Sequence, residues 1–498
     1  MFPMKAAEKP DMPAAKKKTV QKYIDETPVW RDGTEVSFTP MTSMQWRIWA
    51  LATAGKFFEG LIVFMTGVAL PLIVAEFGLS ATQKGIIGAM PLLGILVGAS
   101  GLGGLADVFG RRFMFILEMG LFILFLLLLS VSPGFIWTAV FLFGTGAALG
   151  CDYPTAHMVI SESIASKSRG KLVLSAFGFQ AVGAIAGTAL GYLILSGDAH
   201  LSAWRYMYAI VIIPALPVFI ARFFITQSPH WLVAKGCMEK AQRTLTRLLN
   251  RQPPYPLEIL LKNPRKSDDG KNITPPQSDY GVLFRGKKER RATILASVPW
   301  FLQDLGTYGI GIFTPTILAT TVGHPTQHPH NVTAIIHNDI IAAKGAAFLD
   351  VLLLAGIIGA ILLADRIGRI RLQVFGFAGC AIGLLLASFS LQATGISKLL
   401  LLFSGFMLFN FMTNIGPNAM TYLLAGEVFP THIRGKGAGF SASFAKIGAV
   451  LTAFLFPVLL KTIGTQYLLY LLAGTSILGA LITWRFRIET AGISLEDM

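Results

Sequence analysis

Apolar residues run along this chain in about a dozen continuous blocks, not in strict alternation. Each block offers the roughly 20 residues that an α-helix needs to cross a hydrocarbon layer about 30 Å thick. The blocks lie at 46–76, 82–106, 112–132, 134–162, 171–196, 203–225, 293–322, 342–364, 369–392, 396–425, 436–463 and 466–486. A barrel would need short alternating strands, and an open sheet cannot span lipid because its edge groups stay unpaired. The predicted fold class is an all-α membrane protein with twelve transmembrane helices.

Two short patterns recur. GGLADVFGRR (103–112) returns as ILLADRIGR (361–369), and ESIASKSRG (162–170) returns as EVFPTHIRG (427–435). The repeat predicts two pseudo-symmetric six-helix bundles, at 46–225 and 293–486, with a site near the midplane between them. A polar segment (1–45), a linker (226–292) and a short tail (487–498) complete the chain. Residues 1–45 contain Lys16-Lys17-Lys18 and no apolar core of a signal peptide, so the first block is expected to stay in the mature protein. Within the linker, 233–250 has the period of a short amphipathic helix, and 252–280 reads as Pro- and Asn-rich connection.

The formal charge of +15 has a topological cause. Residues 226–291 hold 14 Lys and Arg against 6 Asp and Glu, and the short loops after the second, fourth, eighth and tenth blocks are also basic. The positive-inside rule places the linker and both termini in the cytoplasm of a multi-pass protein of the plasma (inner) membrane. The basic balance therefore gives no reason to invoke nucleic acid; the expected surroundings are the lipid bilayer. Cys151, Cys237 and Cys380 have no metal-binding spacing and make no disulfide framework. Four of the eight histidines fall within 322–339, irregularly spaced and without Cys, which favours a solvated loop over a metal site.

Acid–base pairs cluster at the expected cytoplasmic boundary: Asp107 with Arg111 and Arg112, Glu162 with Arg169, Asp365 with Arg369, and Glu427 with Arg434. Singly such pairs are worth under about 1 kcal/mol when exposed. A partly buried network repeated in both halves is expected to gate, holding the halves together in one conformation and releasing them in another. GGLADVFGRR resembles a signature of the major facilitator superfamily. EVFPTHIRG resembles its sugar-porter counterpart, and TQSPHWL (226–232) resembles the stretch after its sixth helix.

Charges inside the blocks are costly, about 2.5–3.5 kcal/mol each at a helix centre, and mark function by default. Those singled out are Lys56 and Glu59 in the first block, Asp152 in the fourth, Asp304 in the seventh and Lys446 in the eleventh; Glu118 in the third is left unassigned, and Lys461 near an outer end is expected to snorkel. Lys56 and Glu59 either neutralise each other or pair across a cavity. His157 reads as a structural histidine. A helix through 300–308 stacks Trp300, Asp304 and Tyr308 on one face. GCDYPTAH (150–157), WFLQDLGTYG (300–309), NIGPNAMTYLLAGEVFP (414–430) and FAKIGAV (444–450) are similar to the phosphate:proton symporter branch. That resemblance implies a substrate site of Tyr153, Gln180, Trp300, Asp304, Tyr308, Asn418 and Lys446. It places Glu59 as the first-helix acid. The proton-coupling candidates are Glu59, Asp152 and Asp304, with Asp152 alternatively positioning Tyr153. The chain departs from the branch at Leu61-Ile62, where Tyr-Asp is common, and at Val140, which stands in place of an Arg.

Tyr, Gln, Asn and Trp supply uncharged donors to an oxyanion. Asp304 repels the anion until protonated and then donates to it, so anion and proton favour each other's binding. The expected function is secondary active symport of a small anion such as phosphate with protons. No cofactor is implied, the proton gradient supplying the drive, and the monomer holds a complete pathway. Alternatives are a proton-linked transporter of a sugar, carboxylate or other metabolite, and a non-transporting receptor or scaffold. No nucleophile–base set, nucleotide loop or metal cluster points to an enzyme.

Overall fold

A computed structural model describes residues 18–26, 40–102, 105–197, 200–250, 261, 280–322, 332–430 and 433–490. These residues form helices, with no strand among them beyond one isolated bridge, Lys18 to Leu261. The first bundle contains α2 (Ser43–Phe77), α3 (Ala81–Val97), α4 (Leu105–Phe109), α5 (Arg111–Ser130), α6 (Phe135–Ser163), α7 (Ser166–Gly197) and α8 (Ala203–Arg222). The second contains α12 (Lys287–Val322), α13 (Val332–Ile367), α14 (Arg369–Phe389), α15 (Gly395–Ile415), α16 (Pro417–Glu427) and α17 (Arg434–Arg485). Short helices α1 (Val20–Asp25), α9 (Pro229–Ala234), α10 (Met238–Leu248) and α11 (Val282–Arg285) lie outside the bundles.

Among the described residues ten stretches are long and apolar enough to cross a membrane, with α15 and α16 counted as one. The 36-residue α12 is a further crossing, and a break at Gly464 divides α17 into two, making twelve. Leu127, Ile213, Leu362, Phe375 and Leu400 point outward and stay exposed, a surface that lipid rather than water would cover.

Local chemistry starts the helices where the blocks begin. Thr42 Oγ1 accepts from the Gln45 amide at 3.2 Å while Gln45 accepts from the Thr42 amide at 2.8 Å, a reciprocal cap worth about 1 kcal/mol. Ser80 and Gln83 do the same for α3. Two boundaries differ from expectation. The helix expected to start at 342 begins at Val332, because Ile336, Ala342 and Ala343 continue a buried stripe through the polar Asn- and His-containing stretch. The helix expected over 396–425 is broken at Gly416, ahead of Pro417, into α15 and α16. Residues 323–331, the rest of the His-rich loop, and most of 252–280 lie outside the described residues.

The repeat is visible in the backbone. Gly110 (φ 97°, ψ 149°) and Gly368 (φ 98°, ψ 150°) precede Arg111 and Arg369 in the same left-handed conformation. Arg111 then donates to Ala106 O (2.8 Å) and Glu162 (3.2 Å). Arg369 donates to Ala364 O (3.2 Å) and Glu427 (3.3 Å), and pairs with Asp365 at 2.9 Å. Each of these pairs joins elements of one half, so in this conformation they brace each bundle and do not tie the two together. The arginine reaches across to the helix packed beside it, and spacing along one segment cannot show that. The side chains of Asp107, Arg169 and Arg434 lie outside the described set. Arg112 instead meets the segment just after α8: its amide donates to Gln227 at 3.0 Å.

The bundles meet where α3 lies on α17, α7 on α13 and α2 on α12. Beneath the first bundle, Leu245 and Leu248 of α10 bury against Tyr23 and Ile24 of α1. Thr42 Oγ1 donates to Leu248 O at 2.7 Å. The amphipathic helix expected at 233–250 is thus present, divided into α9 and α10, and docked.

Gly110→Ala and Gly368→Ala should each lower stability by about 1–3 kcal/mol, because only glycine tolerates that φ/ψ region. Gly439→Ala, exposed in a helix where an added Cβ meets nothing, should leave stability unchanged or raise it. Thermal unfolding in detergent checks this; equal midpoints for Gly110→Ala and wild type would refute the backbone argument.

Candidate functional site

Helices α2 and α7 touch backbone to backbone. A Cβ on Gly60 would stand 2.0 Å from Gln180 O, and one on Gly183 would stand 2.0 Å from Phe57 O. This close approach sets Glu59 of α2 beside Gln180 of α7. Asp304 and Tyr308 approach from α12, one turn apart on one face as the spacing predicts, and Lys446 comes from α17.

These residues form one network across the interface between the halves. Lys56 pairs with Glu59 at 2.6 Å. Glu59 accepts from Tyr308 at 3.2 Å and from Gln180 at 3.3 Å, and stands 3.7 Å from Lys446. Lys446 donates to Tyr308 Oη at 2.6 Å and to Asp304 at 3.3 Å. Both arrangements open for Lys56 and Glu59 are therefore realised at once: Glu59 pairs within α2 and also faces Lys446 of the other half. Two ammonium groups balance two carboxylates. All four residues are buried, with Asp304 only 1% exposed. Removing one member would leave an uncompensated buried charge.

Gln180, Tyr308 and Asn418 line a cavity of ≈ 20 Å³ together with Phe64, Thr307, Asn414 and others. That space holds about one water molecule. Asn418 donates to Asn414 at 2.6 Å, and Asn414 donates to Leu353 O at 2.8 Å. The site is closed in this conformation.

Trp300, like Glu59, Asp304 and Lys446, is not among the residues that line that cavity. One turn before Asp304, it meets Tyr422 edge-on at 6.2 Å, and Tyr422 stacks on Phe177 at 4.5 Å. Phe177 belongs to the first half and Tyr422 to the second. Together they make an aromatic layer one turn nearer the basic end of the bundles.

Asp152 also stands apart from the central network. Its partner is Arg222 at 2.7 Å, which bonds Glu118 at 3.0 Å and Phe115 O at 2.6 Å. Asp152 packs on Gly55, the neighbour of Lys56, where an added Cβ would meet its Oδ2 at 1.5 Å. The side chains of Tyr153 and His157 lie outside the described residues.

Sequence reasoning missed Arg222, Asp339 and Asp350. The rule that drew attention to Asp304, a charge inside an apolar block, applies equally to Asp350 in FLDVLLL. Arg222 lies in the last turn of the sixth block, 203–225, and closes the observed helix α8.

Two bundles related by a repeat, with a buried charge network and a small polar cavity at their seam, define a membrane transporter of the alternating-access kind. The sequence profile described as "Sugar (and other) transporter" matches residues 34–498, and the chain belongs to that family of the major facilitator superfamily. It is a transporter of small molecules and not an enzyme. The repressible high-affinity phosphate permease of Neurospora crassa is 27% identical over 72% of this chain and 67% of its own length. The inner membrane metabolite transport protein YgcS of Escherichia coli is 27% identical over 92% and 94%. Among solved structures, the partially occluded inward-open xylose transporter XylE from E. coli superimposes with a TM-score of 0.71 at 22% identity, covering 91% of this chain and 100% of that one. The last likeness establishes the fold.

Glu59→Gln should destabilise the protein by about 3–5 kcal/mol, since Lys56 and Lys446 then face a single carboxylate. The double change Lys56→Met with Glu59→Gln should cost less than Glu59→Gln alone. Unfolding midpoints in detergent decide it; equal losses for the single and double variants would deny the pairing.

Proposed function

We propose that this chain is a proton-coupled symporter of a small anion, with inorganic phosphate the favoured substrate. The observation that carries the proposal is Lys446, whose ammonium is held between Asp304 and Glu59 beside Tyr308 and Gln180. An anion entering the opened cavity competes with Asp304 for Lys446. At an effective dielectric of about 20 the pairing surrendered is worth about 4–5 kcal/mol. A proton delivered to Asp304 removes that cost and the repulsion together. Charge in the site then changes little, and Asp304 turns from competitor to donor. Anion and proton each favour the other's binding, as symport requires. Tyr308, Gln180 and Asn418 supply uncharged hydrogen-bond donors, and Tyr153 joins them by resemblance. The Neurospora relative, named as a phosphate permease, supports the choice of anion.

Trp300, Tyr422 and Phe177 close the basic end, which the positive-inside rule makes cytoplasmic, with both termini on that side. We assign the protein to the plasma (inner) membrane and the working unit to one chain, with bundles at 46–225 and 293–486. Glu59 and Asp152 remain further proton carriers in this reading, Asp152 through its contact with Gly55 beside Lys56. Arg111, Arg112, Glu162, Asp365, Arg369 and Glu427 act as gating residues by keeping each bundle rigid as it tilts, and Asp107, Arg169 and Arg434 join them by the repeat. No cofactor enters the cycle.

A second reading, proton-linked transport of a sugar, carboxylate or other metabolite, is favoured by the relative named as a metabolite transport protein. Labelled phosphate uptake into proteoliposomes separates the two. Wild type should accumulate phosphate under an inward proton gradient, without competition from xylose or organic acids. Asp304→Asn should lose gradient-driven accumulation. Absence of phosphate uptake beside a working control transporter would reject the anion assignment.

A further inference from the structure

Asp350 is a buried carboxyl outside the central network and without the arginine partner that Glu118 and Asp152 share. It sits on α13, is 3% exposed, and faces α7 of the other half. There Thr188 Oγ1 lies 3.1 Å from its Oδ2. Among the described residues no lysine, arginine or histidine stands within 4 Å of it.

On α13 itself Asp339 and Lys344 precede Asp350 by eleven and six residues, and several charges on the packed helices have partners elsewhere or stand near helix ends. Lys56 and Glu59 of α2 and Asp304 of α12 belong to the central network. Arg369 of α14 pairs with Glu427 of α16. Lys171 of α7 and Lys398 of α15 stand in the end turns of their helices. Glu59 and Asp304 each have a lysine; Asp350 has one hydroxyl.

The hydroxyl geometry bears on the protonation state. Thr188 has a single hydrogen, and its Oγ1 is also 3.0 Å from Ala184 O, the usual in-helix acceptor of a threonine. With that hydrogen on Ala184, Thr188 is an acceptor, and only a neutral Asp350 can supply the donor. The chain Asp350 Oδ2–H to Thr188 Oγ1 to Ala184 O, with Ile185 O 3.2 Å away as a second acceptor, then gives each hydrogen an acceptor. An ionised Asp350 would instead keep its charge out of water with one neutral hydrogen bond. Thr188 follows Gln180 by eight residues, so this contact lies about 12 Å along α7 from the central network, away from the basic end.

We propose that Asp350 is a second proton-binding site, and that the far end of the α7–α13 seam closes only around the neutral acid. The proposal rests on the alternating-access reading: when the far side opens, the seam parts, water reaches Asp350, and its proton exchanges with that compartment. Resealing requires the proton back. The carboxyl thus couples proton occupancy to closure of one face, independently of the anion at Lys446.

The test uses the purified full chain in lipid nanodiscs without substrate. Infrared difference spectra should show a protonated carboxylic-acid carbonyl band that Asp350→Asn abolishes and that Thr188→Val shifts without abolishing. Hydrogen exchange, corrected for the intrinsic effect of pH, should rise several-fold at the far ends of α7 and α13 in wild type as pH increases. In Asp350→Asn, a permanently neutral amide, it should stay low and independent of pH. A carbonyl band unchanged in Asp350→Asn, or seam exchange in wild type that does not respond to pH, would overturn the proposal. No phosphate is present, so failure here leaves the phosphate reading standing, and failure of phosphate uptake leaves this result intact.

Discussion

Four opposite charges cannot be buried at a seam unless they meet there, and this requirement organises the molecule. Lys446 and Asp304 come from one bundle, Lys56 and Glu59 from the other. Each pair is self-compensated, so either bundle can carry its charges alone when the halves part. The link between pairs is looser: Glu59 reaches Lys446 at 3.7 Å, with Tyr308 between as a neutral bridge. Strong pairs within halves and a weak contact between them suit an interface that must open repeatedly. A tight ion pair across the seam would hold it shut.

The surroundings serve that arrangement. Gly60 and Gly183 draw α2 and α7 into contact, which brings Glu59 and Gln180 into one layer. The Phe177–Tyr422 stack seals the seam one turn away without adding charge. The boundary ion pairs repeat inside each bundle, Arg111 to Glu162 and Arg369 to Glu427, so each half can move as a rigid piece. A cavity of ≈ 20 Å³ admits no phosphate, and substrate entry must therefore separate the halves.

Much of this was legible in the sequence because membrane physics is strict. Continuous apolar blocks showed the twelve helices, and the recurring Asp-x-x-Gly-Arg pattern showed the two bundles. The i, i+4 spacing placed Asp304 and Tyr308 on one face, where they are found. Contacts between distant segments were not legible. Glu427 was read with Arg434, whose side chain lies outside the described residues, and its bond to Arg369 on another helix was not foreseen. Asp152 was a proton-coupling candidate, and its ion pair with Arg222, near the end of an apolar block, was not foreseen. Trp300 shares a helical face with Asp304, and its edge-on contact with Tyr422 one turn away was not foreseen. The start of α13 was hidden because polar residues interrupt the apolar run while its helical stripe continues.

The central claim is that anion and proton enter this network together. Calorimetric titration of purified protein with phosphate, in two buffers of different ionisation enthalpy, counts the protons taken up on binding. The account predicts uptake of about one proton per phosphate beyond the ligand's own ionisation, and close to none in Asp304→Asn. Phosphate binding by wild type with no proton uptake would contradict it.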